Sequence, residues 1–177
     1  MIYDAQALEE ETVMITAAHM CAAARTAPKT RGIDYITTCV LTGDEKDALA
    51  DEMQRLAPIL DYPFFERDAA NIRASLAVVL VGTTYQQRGL NEGCGYCNQK
   101  NCAECATQNS VCAYDNIDLG IAIGSAVSIA ADARIDNRVL FSAGRAALSL
   151  KTMGDEIKVI IAIPLSATKK SPYFDRK

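Results

Sequence analysis

Tryptophan is absent from this chain and histidine occurs once, in 177 residues. A single histidine leaves no nucleophile–histidine–acid arrangement to propose. His19, between Ala18 and Met20 on an apolar helical stretch, reads as a packing residue rather than a catalytic base. No Gly-rich phosphate loop follows a strand, which excludes the common nucleotide motifs. Positive charge is also scarce: 18 Lys and Arg against 22 Asp and Glu leave a net charge of −4. Nucleic acid, which needs a basic face, is not an expected partner. The clearest basic cluster is terminal: Lys169, Lys170, Arg176 and Lys177. No apolar run reaches the ~20 residues that span a bilayer, and Met1 to Ala7 lacks the basic-then-apolar order of a secretory leader. A protein without membrane association is expected. Internal repeats and low-complexity tracts are missing too.

Cysteine, by contrast, is abundant and concentrated. Five of the seven cysteines, Cys94, Cys97, Cys102, Cys105 and Cys112, stand in the pattern C-x2-C-x4-C-x2-C-x6-C. Thiolates are soft ligands, and tight loops carrying several of them suit tetrahedral zinc or an iron–sulfur cluster. Disulfides are the bland alternative. Five is an odd number, however, and Cys21 and Cys39 read as small buried apolar residues. Half the residues are hydrophobic, enough to build a core without crosslinks. Free thiols beside a metal suit a reducing compartment, so the expected location is cytoplasmic. Cys97-x4-Cys102-x2-Cys105 repeats the first three ligands of plant-type ferredoxins. Cys94-x2-Cys97-x4-Cys102 with the later Cys112 instead resembles compact four-iron modules. At least one cysteine of the five is therefore spare. Gly93 and Gly95 flank Cys94 and are expected to let the backbone wrap a ligand with unusual dihedrals.

Around this segment the chain alternates helices with apolar strands. Ala5 to Ala24 carries a helical stripe of Val13, Ala17, Met20 and Ala24. Ile33 to Leu41 reads as a strand, Asp44 to Leu56 as a helix closed by Pro58, and Glu66 to Arg73 as a shorter helix. Leu76 to Gly82 has the composition of a strand buried on both faces. Asn116 to Ala133 is a long helix, apolar almost all round and rich in small residues, and is expected to be central and closely packed. Arg138 to Phe141 is a short strand, Ala143 to Leu150 a helix and Ile157 to Pro164 a last strand.

Four pieces in order resemble known families. Ala24-Arg25-Thr26-Ala27-Pro28 is similar to the A-R-x-A-P entry to the flavin loop of nitroreductase-like flavoproteins. Asp118-Leu119-Gly120, opening the small-residue helix, resembles the Asp-Ile-Gly start of their dimer-core helix. Ile161-Ala162-Ile163-Pro164-Leu165, followed by Lys169 to Arg176, looks like their last strand and phosphate-contacting tail. With the cysteine segment added, the whole resembles a prokaryotic family described as containing a ferredoxin domain. The resemblance implies an α+β, nitroreductase-like sandwich of residues 1–177. It has a central small-residue-rich helix and a cysteine-rich, ferredoxin-like, metal-binding insertion at 86–114. It also implies a homodimer. Two departures stand out: residues 1–10 hold no Arg or Lys to grip a flavin phosphate, and Lys29, Gly32 and Asp34 replace the usual Ser, Asn and Gln. Arg25, Lys29, Arg31, Lys169, Lys170 and Arg176 are then the candidate phosphate-binding residues, with ordinary surface charge as the alternative reading.

The expected function is that of a redox protein carrying an iron–sulfur cluster, of the four-iron type, and exchanging electrons with an unidentified partner. The alternatives are a non-enzymatic protein with a structural zinc site, and an oxidoreductase dependent on flavin mononucleotide (FMN).

Overall fold

The strand Ala77–Thr83 (β2) is buried at every position, and the rest of the fold is arranged to cover it. In the computed structural model, which describes residues 1–174, β2 pairs with β1 (Ile36–Leu41) on one side and β4 (Val159–Ser166) on the other. The two-residue β3 (Asp136–Asn137) completes an antiparallel sheet in the order β1-β2-β4-β3. Side chains alternate along a strand. Val78 and Leu80 therefore meet one core, with α2 (Gly43–Leu60), α3 (Phe64–Arg73) and α6 (Phe141–Ser149). Ala77, Val79 and Val81 meet the other, with α1 (Ala5–Thr26) and α5 (Ala113–Asp132). Helices on both faces leave no solvated side to the central strands, and β2 is wholly apolar from Ala77 to Val81. Each large aliphatic side chain buried there contributes about 1.5–3 kcal/mol. The expected α+β sandwich is what forms.

Several local expectations are corrected. Pro58 lies inside α2 rather than beyond its end. A proline deprives the carbonyl four residues back of its partner, but that residue, Gln54, is exposed and water can serve it. Asp61, at φ 54°, ends the helix instead. The strand expected over Arg138 to Phe141 reduces to β3 and a lone bridge from Leu140 to Ala162, and Phe141 already opens α6. His19 is exposed, not packed, while Cys21 and Cys39 are only half-buried. A short helix, α4 (Cys102–Thr107), appears within the cysteine segment. Among the described residues no helix is long and apolar enough to cross a membrane.

The largest correction concerns α5. It packs against α1 through one stripe, Leu119, Ala122, Ala126 and Ala130. The alanines let the two backbones approach. The opposite face is open: Ile117 is 40% and Ile121 41% exposed. A Cβ added at Gly120 or Gly124 would meet nothing within 4 Å. Within one chain the helix is thus buried on one side only.

Candidate metal centre

The segment between β2 and α5 turns back on itself repeatedly, and the residues that permit this are glycine and asparagine. Gly89, Asn91, Gly95, Asn98 and Asn109 all have φ between 51° and 69°, the left-handed region those residue types tolerate. Gly95 behaves as its sequence suggests, whereas Gly93 has no positive φ. Asn101 caps α4, accepting from the Glu104 amide at 2.9 Å, while Glu104 accepts from the Lys100 amide at 2.6 Å. The cap fixes the helix that carries Cys102 and Cys105 on one face, three residues apart. Cys112 stands at the N-cap of α5.

All five cysteines line one cavity, with Gln87, Arg88, Gln99 and Tyr114 among its other walls. No disulfide joins them. The enclosed space is small, about 10 Å³, room for roughly one water-sized sphere. The Asn91 amide donates to Cys102 Sγ at 3.4 Å, and Cys105 Sγ donates to the Ser110 carbonyl at 3.2 Å. Among the described residues, no three His, Cys, Asp or Glu side chains stand at metal-ligating geometry. The thiols share a cavity without converging on a point. Burial first, and then the neighbouring Cys97 and Cys112, push the Cys105 thiol up to about 11, against the pull of Gln87. The donor set is sulfur only, and this fits a soft thiophilic metal or cluster.

Behind the cavity lies a buried ion cluster that the sequence reading did not single out. Arg88 is 2%, Asp115 0% and Asp118 1% exposed. Arg88 Nη1 lies 2.9 Å from Asp115 Oδ1, an ion pair whose angle is not that of a hydrogen bond. Its Nε and Nη2 each donate to Asp118 Oδ2 at 3.2 Å. Asp118 also accepts from the Thr30 amide at 3.1 Å and the Thr30 hydroxyl at 2.8 Å. The Gln86 amide donates to Asp115 at 3.1 Å. The Arg88 guanidinium sits 4.5 Å from the centre of the Tyr35 ring. Burial raises the Asp115 carboxyl, with Arg88 opposing it. Two carboxylates against one guanidinium hold the root of the cysteine segment to α5 and to the loop after α1. The available signal was a pair of aspartates, three apart, on an otherwise apolar helix.

Among the described residues, the candidate phosphate-binding side chains Arg25, Lys29, Arg31 and Lys169 have separate partners and places. Arg25 pairs with Asp34. Lys29 turns its ammonium onto the last carbonyls of α1, Ala24 at 2.6 Å and Arg25 at 2.5 Å, and its burial lowers its affinity for a proton. Arg31 donates to the Arg88 carbonyl at 2.9 Å, tying down the cysteine segment. Lys169 lines an open groove with Glu9 and Arg134 at the other end of α1, roughly 24 Å from Arg25 at 1.5 Å per helical residue. Lys170 is exposed, and Arg176 lies outside the described residues. Within one chain these side chains do not fit a flavin phosphate.

Comparison with known proteins places the architecture. Nitroreductase CinD from Lactococcus lactis, solved with nicotinic acid, superposes with a TM-score of 0.61 at 14% identity, over 96% of this chain and 81% of its own. A nitroreductase family protein from Clostridium novyi gives 0.59 at 15% identity, over 99% and 79%. A putative nitroreductase from Desulfovibrio desulfuricans in complex with FMN gives 0.59 at 15%, over 92% and 78%. The fold is therefore nitroreductase-like. At the level of sequence, residues 108–176 match the family described as "Uncharacterized protein containing a ferredoxin domain (DUF2148)". An uncharacterized protein of Archaeoglobus fulgidus is 38% identical over 99% of this chain and 98% of its own length. The chain belongs to this family. The matched span includes Cys112, α5 and β4, while the other four cysteines of the cavity precede it.

Proposed function

We propose that this protein is a redox carrier with an iron–sulfur cluster held by the Cys94 to Cys112 segment on a nitroreductase-like scaffold. Residues 86–114 are, on this reading, a ferredoxin-like insertion in a single domain of residues 1–177. The observation that carries it is the lining of one cavity by five free thiols. The ferredoxin domain in the family's description points the same way. A bound cluster would supply reversible one-electron transfer. The chain's part is to supply thiolates from Cys94, Cys97, Cys102, Cys105 and Cys112 and to shield them from water. Through Arg88 and Asp118 it anchors the segment to the sandwich. Electrons would leave or enter through a partner docked near the exposed mouth, where Tyr96 and Tyr114 stack at 5.6 Å. We assign the open face of α5 to a homodimer contact, because it is apolar and unpartnered in one chain.

One observation also supports a second reading. The lining is sulfur-rich and free of disulfides, which suits a tetrahedral zinc as well as a cluster, and a structural zinc would serve only to lock the loop. Metal and sulfide analysis of anaerobically purified protein, with its visible spectrum, separates the two. Iron with matching acid-labile sulfide and broad charge-transfer absorbance supports the redox carrier. Colourless protein with one zinc per chain refutes it.

A further inference from the structure

Three side chains of one short turn converge on Arg88. The turn joins α1 to β1 over residues 27–35 and is far in sequence from the five clustered cysteines. Thr30 donates to Asp118 twice, through its amide at 3.1 Å and its hydroxyl at 2.8 Å. The hydroxyl takes Oδ1, which leaves Oδ2 turned to Arg88 Nε and Nη2, each at 3.2 Å. Arg31 holds the Arg88 carbonyl at 2.9 Å, and the Tyr35 ring lies 4.5 Å from the guanidinium. Arg31 does this from a left-handed backbone, φ 60°, which a non-glycine residue keeps only where its surroundings impose it. Opposite it, a Cβ on Gly89 would stand 2.8 Å from Arg31 Nη1, so glycine there leaves room for the guanidinium.

Arg88 in turn bears on the thiols from both ends of their segment. Its own side chain is part of the cavity wall, with the five cysteines. Its partner Asp118 stands on the first turns of α5, the helix that Cys112 caps, and the Cys112 carbonyl takes the Asp115 amide at 3.0 Å. The grip of Arg88 on Asp118 therefore closes the loop 88–118, which contains all five sulfurs. An unclasped loop of that length samples many end-to-end separations. A clasped one presents its thiols with much of that freedom already removed. Thr30, Arg31 and Tyr35 are not part of the cavity lining, so their reach to the thiols runs through Arg88 and Asp118.

We propose that Thr30 and Arg31 are positioning residues of the metal centre, which hold the cysteine segment, through Asp118 and Arg88, in the arrangement that takes up metal. The proposal rests on the metal reading above and extends the site to a turn that contributes no ligand. Metal affinity then depends on a threonine hydroxyl and an arginine side chain that both lie outside the cavity.

The test is anaerobic titration of the full chain with cobalt(II) alone, read by the charge-transfer absorbance of its thiolate complex, with amide exchange of the metal-free chain alongside. Thr30→Val removes the hydroxyl and Thr30→Ser keeps it. Arg31→Gly removes the guanidinium, and glycine adopts the positive φ freely. Thr30→Val and Arg31→Gly should each weaken cobalt binding roughly tenfold, the low end of what groups behind a metal's ligands contribute. Thr30→Ser should match the wild type. The amides of Cys105, Gln108 and Ser110, which are hydrogen-bonded within the segment, should exchange faster in the two weakened variants while those of β2 keep their protection. Wild-type affinity in both Thr30→Val and Arg31→Gly overturns the proposal. So does a loss that Thr30→Ser shares, or one accompanied by equal loosening of β2, since either marks general destabilisation rather than positioning. A wild type that binds no cobalt overturns the metal reading, and exchange then judges the hold on the segment by itself. Unchanged rates in the variants overturn that hold as well, and faster rates confined to the segment uphold it.

Discussion

Replacing Gly144 by alanine tests how closely α6 is seated on the sheet. A Cβ at this position would lie 1.9 Å from the Ile160 carbonyl oxygen, 2.7 Å from its carbon and 3.1 Å from Ile161 Cα. All three are backbone atoms of β4, so no side chain can rotate out of the way. Ordinary non-bonded contact begins near 3.5 Å, so α6 must retreat by about 1.5 Å, and a gap of even ~1 Å forfeits up to half the dispersion energy across it. The seam concerned holds Ala143, Ala146 and Ala147, each fully buried. Overpacking typically costs about 1–3 kcal/mol. A rigid backbone neighbour puts Gly144→Ala at the top of that range, and the helix propensity gained over glycine, ~1 kcal/mol, offsets part of it. A net loss of about 2 kcal/mol lowers Tm by roughly 4–8 °C in a chain of this size. Urea unfolding followed by circular dichroism should show a lower midpoint with an unchanged slope. A variant that unfolds at the wild-type midpoint would refute the close approach of α6 to β4.

Three further outcomes are expected. Asp115 is raised above the usual carboxylate range by burial, so the folded chain holds its proton more tightly than the unfolded chain. The corresponding stability is complete below about pH 4 and is lost as pH rises through the folded value. Asp115→Asn should therefore flatten the acid side of the stability–pH curve, and parallel curves for the two proteins would contradict this. Charge placed on the open face of α5 by Ile121→Asp should convert a dimer to a monomer in light scattering with the fold intact by circular dichroism. A wild type that is already monomeric at micromolar concentration removes the proposed interface. Titration with FMN should show weak binding or none, because Lys29 and Arg31 are committed to carbonyls; each missing charge-assisted bond costs about 1.5–3 kcal/mol. Tight stoichiometric quenching of flavin fluorescence would show that the phosphate is held elsewhere.

What could be read directly from residue order was whatever depends on short-range pattern. The β2 run shows its two-sided burial in composition alone, and the cysteine spacing marked the segment that closes on one cavity. Pattern failed where the outcome is decided by neighbours distant in sequence. The stripe of α5 that meets α1 and the face left open are both apolar, so periodicity could not tell them apart. Arg88 is an isolated charge in sequence, and only the return of α5 brings Asp115 and Asp118 to it. Lys29 looked available to a phosphate because its actual partners are backbone carbonyls, which every residue possesses. The asparagines at 91, 98 and 109 could have been noticed as turn formers, since that residue type tolerates positive φ.

Neither hydrophobic core includes any of the five clustered cysteines. The two cores are built from helices and strands outside residues 84–112, and the segment is tethered to them by its buried arginine. Folding of the sandwich is thereby largely uncoupled from loading of the site. A small zinc-folded domain collapses when its metal is withdrawn, because binding free energy is its folding free energy. If the proposed metal site is real, scarcity of metal would change the occupancy of the loop while leaving the quantity of folded chain almost untouched. Proteolytic turnover follows the unfolded fraction, so a starved cell would accumulate an empty, intact protein ready to be loaded when supply returns.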